Sequence, residues 1–453
     1  MTTSLDNLKL TNVPKESYLS YSFEVPYEPL EHIFAKTTES KGQRFFWQTP
    51  DRQFGLLEIG QNLIKEKRSW STTDVIETKK EFLKKLLFVG DKQVSPVLFG
   101  GLPFDANNRK NEVMWGGLEE GHFILPTILF KQKHQRLEVV LTVKNCFETL
   151  KKLEYAFTEK INQVNEILKR CIPTFFKGQI NSECERHVPE FLQAVKETVQ
   201  CVSDPKEILK KVVLARQLQI KGSSISTERI LFHLIQQQPN TYRFVLEKKE
   251  KTFIGATPER LIQATNTHFL TASIAGSTTR GSTEKEDQTL GENLLKDSKN
   301  LSEHQLVVDR LSKQMTSFID GNLVVSNKSL LKNRDIQHLR LTLKGLRKKE
   351  ISFLEAVKEL HPSPALGGEP KQLAMDWLAE KELSGRGLYG GPIGWCEVVD
   401  DIGEFAVGIR SGVVDSSGAL LYAGCGIVKD STPEAEYAET ALKFQPMLRG
   451  VKE

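Results

Sequence analysis

Strand-forming runs in this chain cluster between helices instead of alternating with them one for one, and that ordering limits the fold more than any other feature. Short apolar runs at residues 44–48, 54–59, 97–101 and 123–126 are punctuated by glycine or proline, and residues 137–143 alternate loosely, as antiparallel strands do. A stretch without glycine or proline follows at 147–170 and predicts a long helix, with a second at 188–202 that ends at Ser203-Asp204-Pro205. Strands are then expected at 211–220, 243–247, 252–255, 261–264 and 268–273. Helices are expected at 289–319, 351–360 and 371–380, strands at 405–414 and 420–427, and a last helix from 433 to about 448. A doubly wound parallel sheet needs regular strand-helix-strand units. Their absence predicts an α+β architecture with antiparallel sheets.

The chain has 453 residues, 39% of them hydrophobic, enough for a substantial core. Its 62 basic and 58 acidic residues leave a net charge of +4, which makes no case for a nucleic-acid partner. The cluster Arg347-Lys348-Lys349 is expected to be a solvated helix end. Six cysteines, at 146, 171, 184, 201, 396 and 425, show no metal-ligand spacing and are expected to be reduced thiols in a cytoplasm. The start, Met1-Thr2-Thr3-Ser4-Leu5-Asp6, has no signal-peptide pattern, and no apolar run approaches a membrane span. Residues 1–30 read as a polar, variable arm or edge. Residues 31–175 form an N-terminal part and 176–453 carry the motifs below, with no linker or repeat that forces a boundary.

Lys211 opens the run Lys-Val-Val-Leu-Ala-Arg, where apolar packing is cheaper than a charge. Held among such neighbours, its ammonium is disfavoured and the amine becomes a usable base. A lysine at a strand end that snorkels to water fits the same segment. Glu259, in Thr257-Pro258-Glu259-Arg260, leaves a strand through a turn and is either a surface ion pair or a proton donor aimed into a cleft. Glu303 lies within a helix. Glu436 and Glu439 are three apart on the last helix, with Lys443 four after Glu439 on the same face. Carboxylates from two helices, completed by water, suit Mg2+; solvated helix charge is the alternative. Glycine-rich turns at Gly276, Gly367-Gly368, Gly390-Gly391, Gly424 and Gly426 let backbone N–H groups approach an anion. None carries a phosphate-loop or dinucleotide pattern, so a carboxylate ligand suits them better than a nucleotide.

Eight blocks together resemble the chorismate-utilising enzymes, and within them the isochorismate synthases. They are KVVLAR from 211, GATPERL from 255, SIAGSTTRG from 273, LSEHQLVVD from 301, LHPSPALGGEP from 360, LYGGPIGW from 388, FAVGIRSG from 405 and YAGCGIVKDSTPEAEYAET from 422. FFWQ at 45 and LFGGLPF at 98 match more loosely. The resemblance implies one large α+β unit of two antiparallel sheets with helices outside and the site in the cleft between them. It implies that Lys211 activates water for attack at C2 of chorismate and that Glu259 protonates the departing C4 hydroxyl. Glu303 and Glu439 are expected to hold Mg2+ against the ring carboxylate, with Glu436 behind them or acting through water. Tyr389, Arg410 and Lys443 match substrate-contacting positions, as do the backbone of Gly276, Ser277, Gly424 and Gly426. His338 matches a histidine near the ring, and Ala365 and Leu366 stand in the substrate loop.

The same resemblance separates subfamilies. Relatives that aminate chorismate covalently carry lysine where this chain has Ala275. Anthranilate synthases tend to have threonine where Ala365 stands and need a glutaminase, for which no segment is found. Water is therefore the expected nucleophile and isochorismate the expected product, for menaquinone or for a siderophore. A salicylate synthase, which goes on to eliminate pyruvate, is the alternative, followed by an anthranilate-type enzyme or an inactive chorismate-binding relative. A monomer without nucleic-acid, membrane or glutaminase partners is expected. Ser277 stands where the family has threonine and keeps the hydroxyl.

Overall fold

Alternation along the central strands of the larger sheet divides their side chains between two separate cores, and this sets the layering. The computed structural model describes residues 8–10, 13–108, 110 and 113–453. Among them, thirteen strands form one sheet and nine another. The larger runs in the order Gly368–Glu369, Lys211–Ser223, Gly418–Ile427, Ser411–Asp415, Lys251–Thr257, Tyr242–Lys248, Arg44–Gln48, Phe54–Asn62, Pro126–Lys133, Arg136–Lys144, Tyr18–Val25, Leu86–Phe88. Gln179–Arg186 pairs with the far end of the Lys211 strand. The smaller runs Ile319–Val325, Ile336–Arg347, His268–Thr279, Arg260–Ala264, Gly403–Val407, Pro392–Glu397, Val97–Gly101, His122–Ile124, with Ser329–Lys332 beside the second of these. Pairing is antiparallel except between Tyr18–Val25 and Leu86–Phe88.

Trp47, Leu56, Phe253 and Leu420 face the smaller sheet in a shared core with Phe99, Phe123 and Phe405. Their chain neighbours Phe46, Leu57, Ile254 and Leu421 face the other way, onto helices Leu30–Ala35, Leu150–Lys169, Thr227–Gln237 and Pro433–Lys452. Each such side chain removed from water contributes about 1.5–3 kcal/mol. No helix among the described residues is long and apolar enough to cross a membrane. All six cysteines are unpaired.

Two crossings between the sheets position the site. The chain leaves the larger sheet at Thr257 and enters the smaller at Arg260; it leaves the smaller at Val407 and re-enters the larger at Ser411. Val407 N donates to Glu259 O at 3.0 Å and Ala256 N to Arg410 O at 3.1 Å, so the crossings run side by side.

Several expectations are corrected here. Residues 405–414 are two strands in different sheets, because Gly408 has no room for a side chain against Leu388 O and Arg410 turns the chain at φ 50°. The helix expected at 289–319 is two, Glu284–Leu294 and Ser298–Phe318, since Asp297 caps the second by accepting from Asn300 N at 2.8 Å. Residues 18–25, placed in a variable arm, form a strand paired over its whole length with 137–144. The strand from His268 continues past Ser273 to Thr279 through a bulge at Gly276, φ 76°. Ile336–Arg347 was not anticipated, although Leu339, Leu341 and Leu343 alternate as a half-buried strand should. Arg347 is no helix end: it closes that strand, bonds Asp401 Oδ2 at 2.7 Å and lies over the Phe269 ring.

Candidate active site

A cleft opens between the two sheets, and every residue expected as base, acid, metal ligand or substrate contact lines it. Glu436 does not line it; it lies a turn behind Glu439, buried.

Lys211 is the first residue of its strand, and its side chain is 1% exposed. It does not snorkel: Nζ lies 2.9 Å from Glu303 Oε1, reached from helix Ser298–Phe318. The neighbouring strand makes room for that pair with glycines. A Cβ on Gly426 would stand 2.5 Å from Glu303 Oε1 and 2.8 Å from Lys211 Cε, and one on Gly424 would stand 3.1 Å from Tyr389 Oη. Tyr389 stacks on Tyr422, with centroids 5.0 Å apart and planes at 17°.

Glu259 sits on the first crossing, 4% exposed. Burial pushes its pKa up to about 8, even though Lys211, Arg410 and Lys443 pull it down. The carboxyl therefore carries a proton at neutral pH, which is the state a general acid needs. Its alternative reading as a surface ion pair is excluded by its burial.

Arg410 sits on the second crossing. A guanidinium can only donate, so Arg410 Nη2, 3.3 Å from His338 Nε2, makes that nitrogen the acceptor. The ring proton is then on Nδ1, which donates to Ser277 Oγ at 2.8 Å. Burial first, then the Arg410 and Lys443 charges, hold the His338 pKa well below its ordinary value. The imidazole is neutral, oriented at both ends, and able to position but not to add charge.

The acidic wall comes from two helices. Lys443 Nζ bonds Glu439 Oε1 at 2.6 Å and Gly424 O at 2.8 Å. Glu436 Oε1 is 3.1 Å from Lys299 Nζ, while its Oε2 is buried without a partner. Burial and then the Glu439 charge raise the Glu436 pKa. Burial also opposes the Glu439 charge, but Lys443, Lys299 and Arg410 outweigh it and hold its pKa low. Charge thus concentrates on Glu439. Among the described residues no three His, Cys, Asp or Glu side chains could by themselves hold a metal ion. Two carboxylates from separate helices, and an orphaned carboxyl oxygen behind them, fit a cation that takes the rest of its shell from water and substrate; Mg2+ behaves this way.

Sequence reading missed two residues that support the wall from behind. Lys299 lies one helical turn before Glu303, a spacing that could have found it. Asn300 Oδ1 accepts from Ser277 N at 3.0 Å and its Cβ packs where a Gly276 side chain would go, so it pins the bulge; no local pattern signals that.

Crossings, cleft and paired charges are those of one enzyme class. Residues 4–452 match the family model described as chorismate binding enzyme, and the chain belongs to that family. It is 32% identical over 449 residues, 95% of this chain and 92% of the relative, to the isochorismate synthase MenF of Bacillus subtilis (strain 168). It is 28% identical over 94% of its length and 88% of the relative's to the salicylate biosynthesis isochorismate synthase of Pseudomonas aeruginosa. Among solved structures, the menaquinone-specific isochorismate synthase MenF of Escherichia coli superposes with a TM-score of 0.79 at 22% identity, covering 96% of this chain and 95% of that one.

Proposed function

We propose that this protein is an isochorismate synthase: it adds water at C2 of chorismate and releases the C4 hydroxyl, in a reaction that consumes one water and returns one. The observation that carries the reading is the meeting of a buried lysine and a protonated buried glutamic acid in one cleft. Lys211 takes a proton from water as its oxygen bonds to C2. The ring double bonds shift, the C4–O bond breaks, and Glu259 gives its proton so that the hydroxyl leaves as water. Transfer of one proton from the Lys211 ammonium back to Glu259 restores the starting state. Arg410, Lys443 and Tyr389 supply charge and hydrogen bonds for the substrate carboxylates, and the bulge at Gly276 and Ser277 shapes the wall beside them.

Glu303 and Glu439 would hold Mg2+, with Glu436 and Lys299 behind them. When bound, the ion would supply positive charge that offsets the substrate carboxylate and the two glutamates. Ala275 offers no amine at the position where the covalently aminating relatives carry lysine, which favours water. Supply of menaquinone is the favoured fate of the product, in line with the name of the E. coli structure.

Purified protein incubated with chorismate and Mg2+, with products separated on a column, tests the reading. Isochorismate is expected, and none without the metal. Salicylate with pyruvate would instead make the enzyme a salicylate synthase, and unchanged chorismate would remove the assignment.

A further inference from the structure

The Lys211 strand has a gap along its outer edge. Lys210 N and Val213 N donate to Glu369 O and Gly367 O, and from Gln217 onward the Gln179–Arg186 strand takes over. Between them an ion pair from the segment before Tyr389 fills the edge. Glu382 Oε1 accepts from Ala215 N at 2.8 Å, and Arg386 Nη2 donates to Val213 O. Arg386 also donates through Nη1 to Leu366 O at 2.9 Å and through Nε to Glu382 Oε2 at 2.8 Å. Its guanidinium lies over the Phe104 ring at 4.3 Å, and its own carbonyl accepts from Tyr389 N at 2.9 Å. The Arg386 side chain is buried and that of Glu382 is 9% exposed.

Arg386 therefore joins three walls of the cleft: its guanidinium reaches the strand bearing Lys211 and the loop bearing Ala365 and Leu366, and its backbone carbonyl holds the turn bearing Tyr389. It touches none of the reacting atoms. We infer that Arg386 and Glu382 are positioning residues for the reaction, a clamp that holds the base, the substrate loop and the Tyr389 wall in one register. This rests on the isochorismate synthase reading. Arginine is suited to the role because its planar fork can hold two carbonyls and a carboxylate at fixed angles, which an ammonium cannot reproduce.

The experiment compares the wild type with Arg386→Lys and Glu382→Gln, with turnover expressed per folded molecule from near-UV circular dichroism. Arg386→Lys is expected to lower kcat about 10- to 100-fold with a smaller change in KM, because the fork is lost and misplaced groups cost rate more than binding. A loosened cleft also admits water to Glu259, whose pKa stands high by burial against Lys211, Arg410 and Lys443. The alkaline limb of the kcat profile should therefore move to lower pH in both variants, a change that mere loss of folded protein does not produce. Should Arg386→Lys fail to fold, Glu382→Gln carries the same expectation with the arginine intact. Activity per folded molecule at the wild-type level, or a loss with an unmoved pH profile, overturns the clamp alone. Wild type that leaves chorismate unchanged overturns the functional reading, and the clamp falls with it.

Discussion

Glu259 shows how burial makes an ordinary side chain into a reagent. Lys211, Arg410 and Lys443 all pull its pKa down, yet desolvation outweighs them and the value stands at about 8. As general acid it must be protonated, so kcat should hold below that value and fall as pH rises through it. Glu259→Gln keeps the shape but has no proton to give; it should lower kcat by roughly 10²–10⁴-fold and remove the alkaline limb from any residual rate. A variant whose residual activity still falls near pH 8 would move the acid role elsewhere. At this scale the residue types were legible. Lys211, Glu259 and the paired glutamates were visible as chemistry-bearing groups, but whether Lys211 faced water or a carboxylate was not, because its partner lies 92 positions away on a helix.

Among the elements, the helix Ser298–Phe318 does the most to build the site, since its first turns present both Asn300 to the bulge and Glu303 to Lys211. Asn300→Ala leaves the Ser277 N–H without its acceptor, a loss of about 1–3 kcal/mol at a half-buried position. We expect a raised KM for chorismate and a lowered melting temperature; steady-state kinetics and thermal denaturation read both, and an unchanged KM would show that the bulge holds itself. Long periodic helices such as Leu150–Lys169 were legible because an amphipathic face is a local signal. The break at Asp297 and the sheet change at 408–410 were not. Both continue an apolar pattern unchanged, and only capping at one and a left-handed arginine at the other interrupt it.

At the scale of the molecule, the core between the sheets holds a buried carboxyl that costs stability. Glu58, opposite Phe45 and Leu129, is fully buried, neither carboxyl oxygen has a partner, and burial raises its pKa well above the ordinary value. The unfolded chain releases that proton above about pH 4.3 while the native state keeps it. Its contribution to stability is therefore full below that pH and is lost as pH rises toward the folded-state value. Glu58→Gln should raise the melting temperature at pH 8 more than at pH 5, and equal shifts at both would show that Glu58 is not the source. The sequence by itself determined the class of fold, through strands grouped without regular alternation with helices, and the chemical vocabulary of the site, through which residues stand in the eight blocks. Tertiary structure alone decided that Lys211 pairs with Glu303, that Glu259 keeps its proton, that His338 is neutral, and that Arg386 binds three walls together. Protonation and register depend on desolvation and on neighbours brought from distant parts of the chain, and no local pattern of residues encodes either.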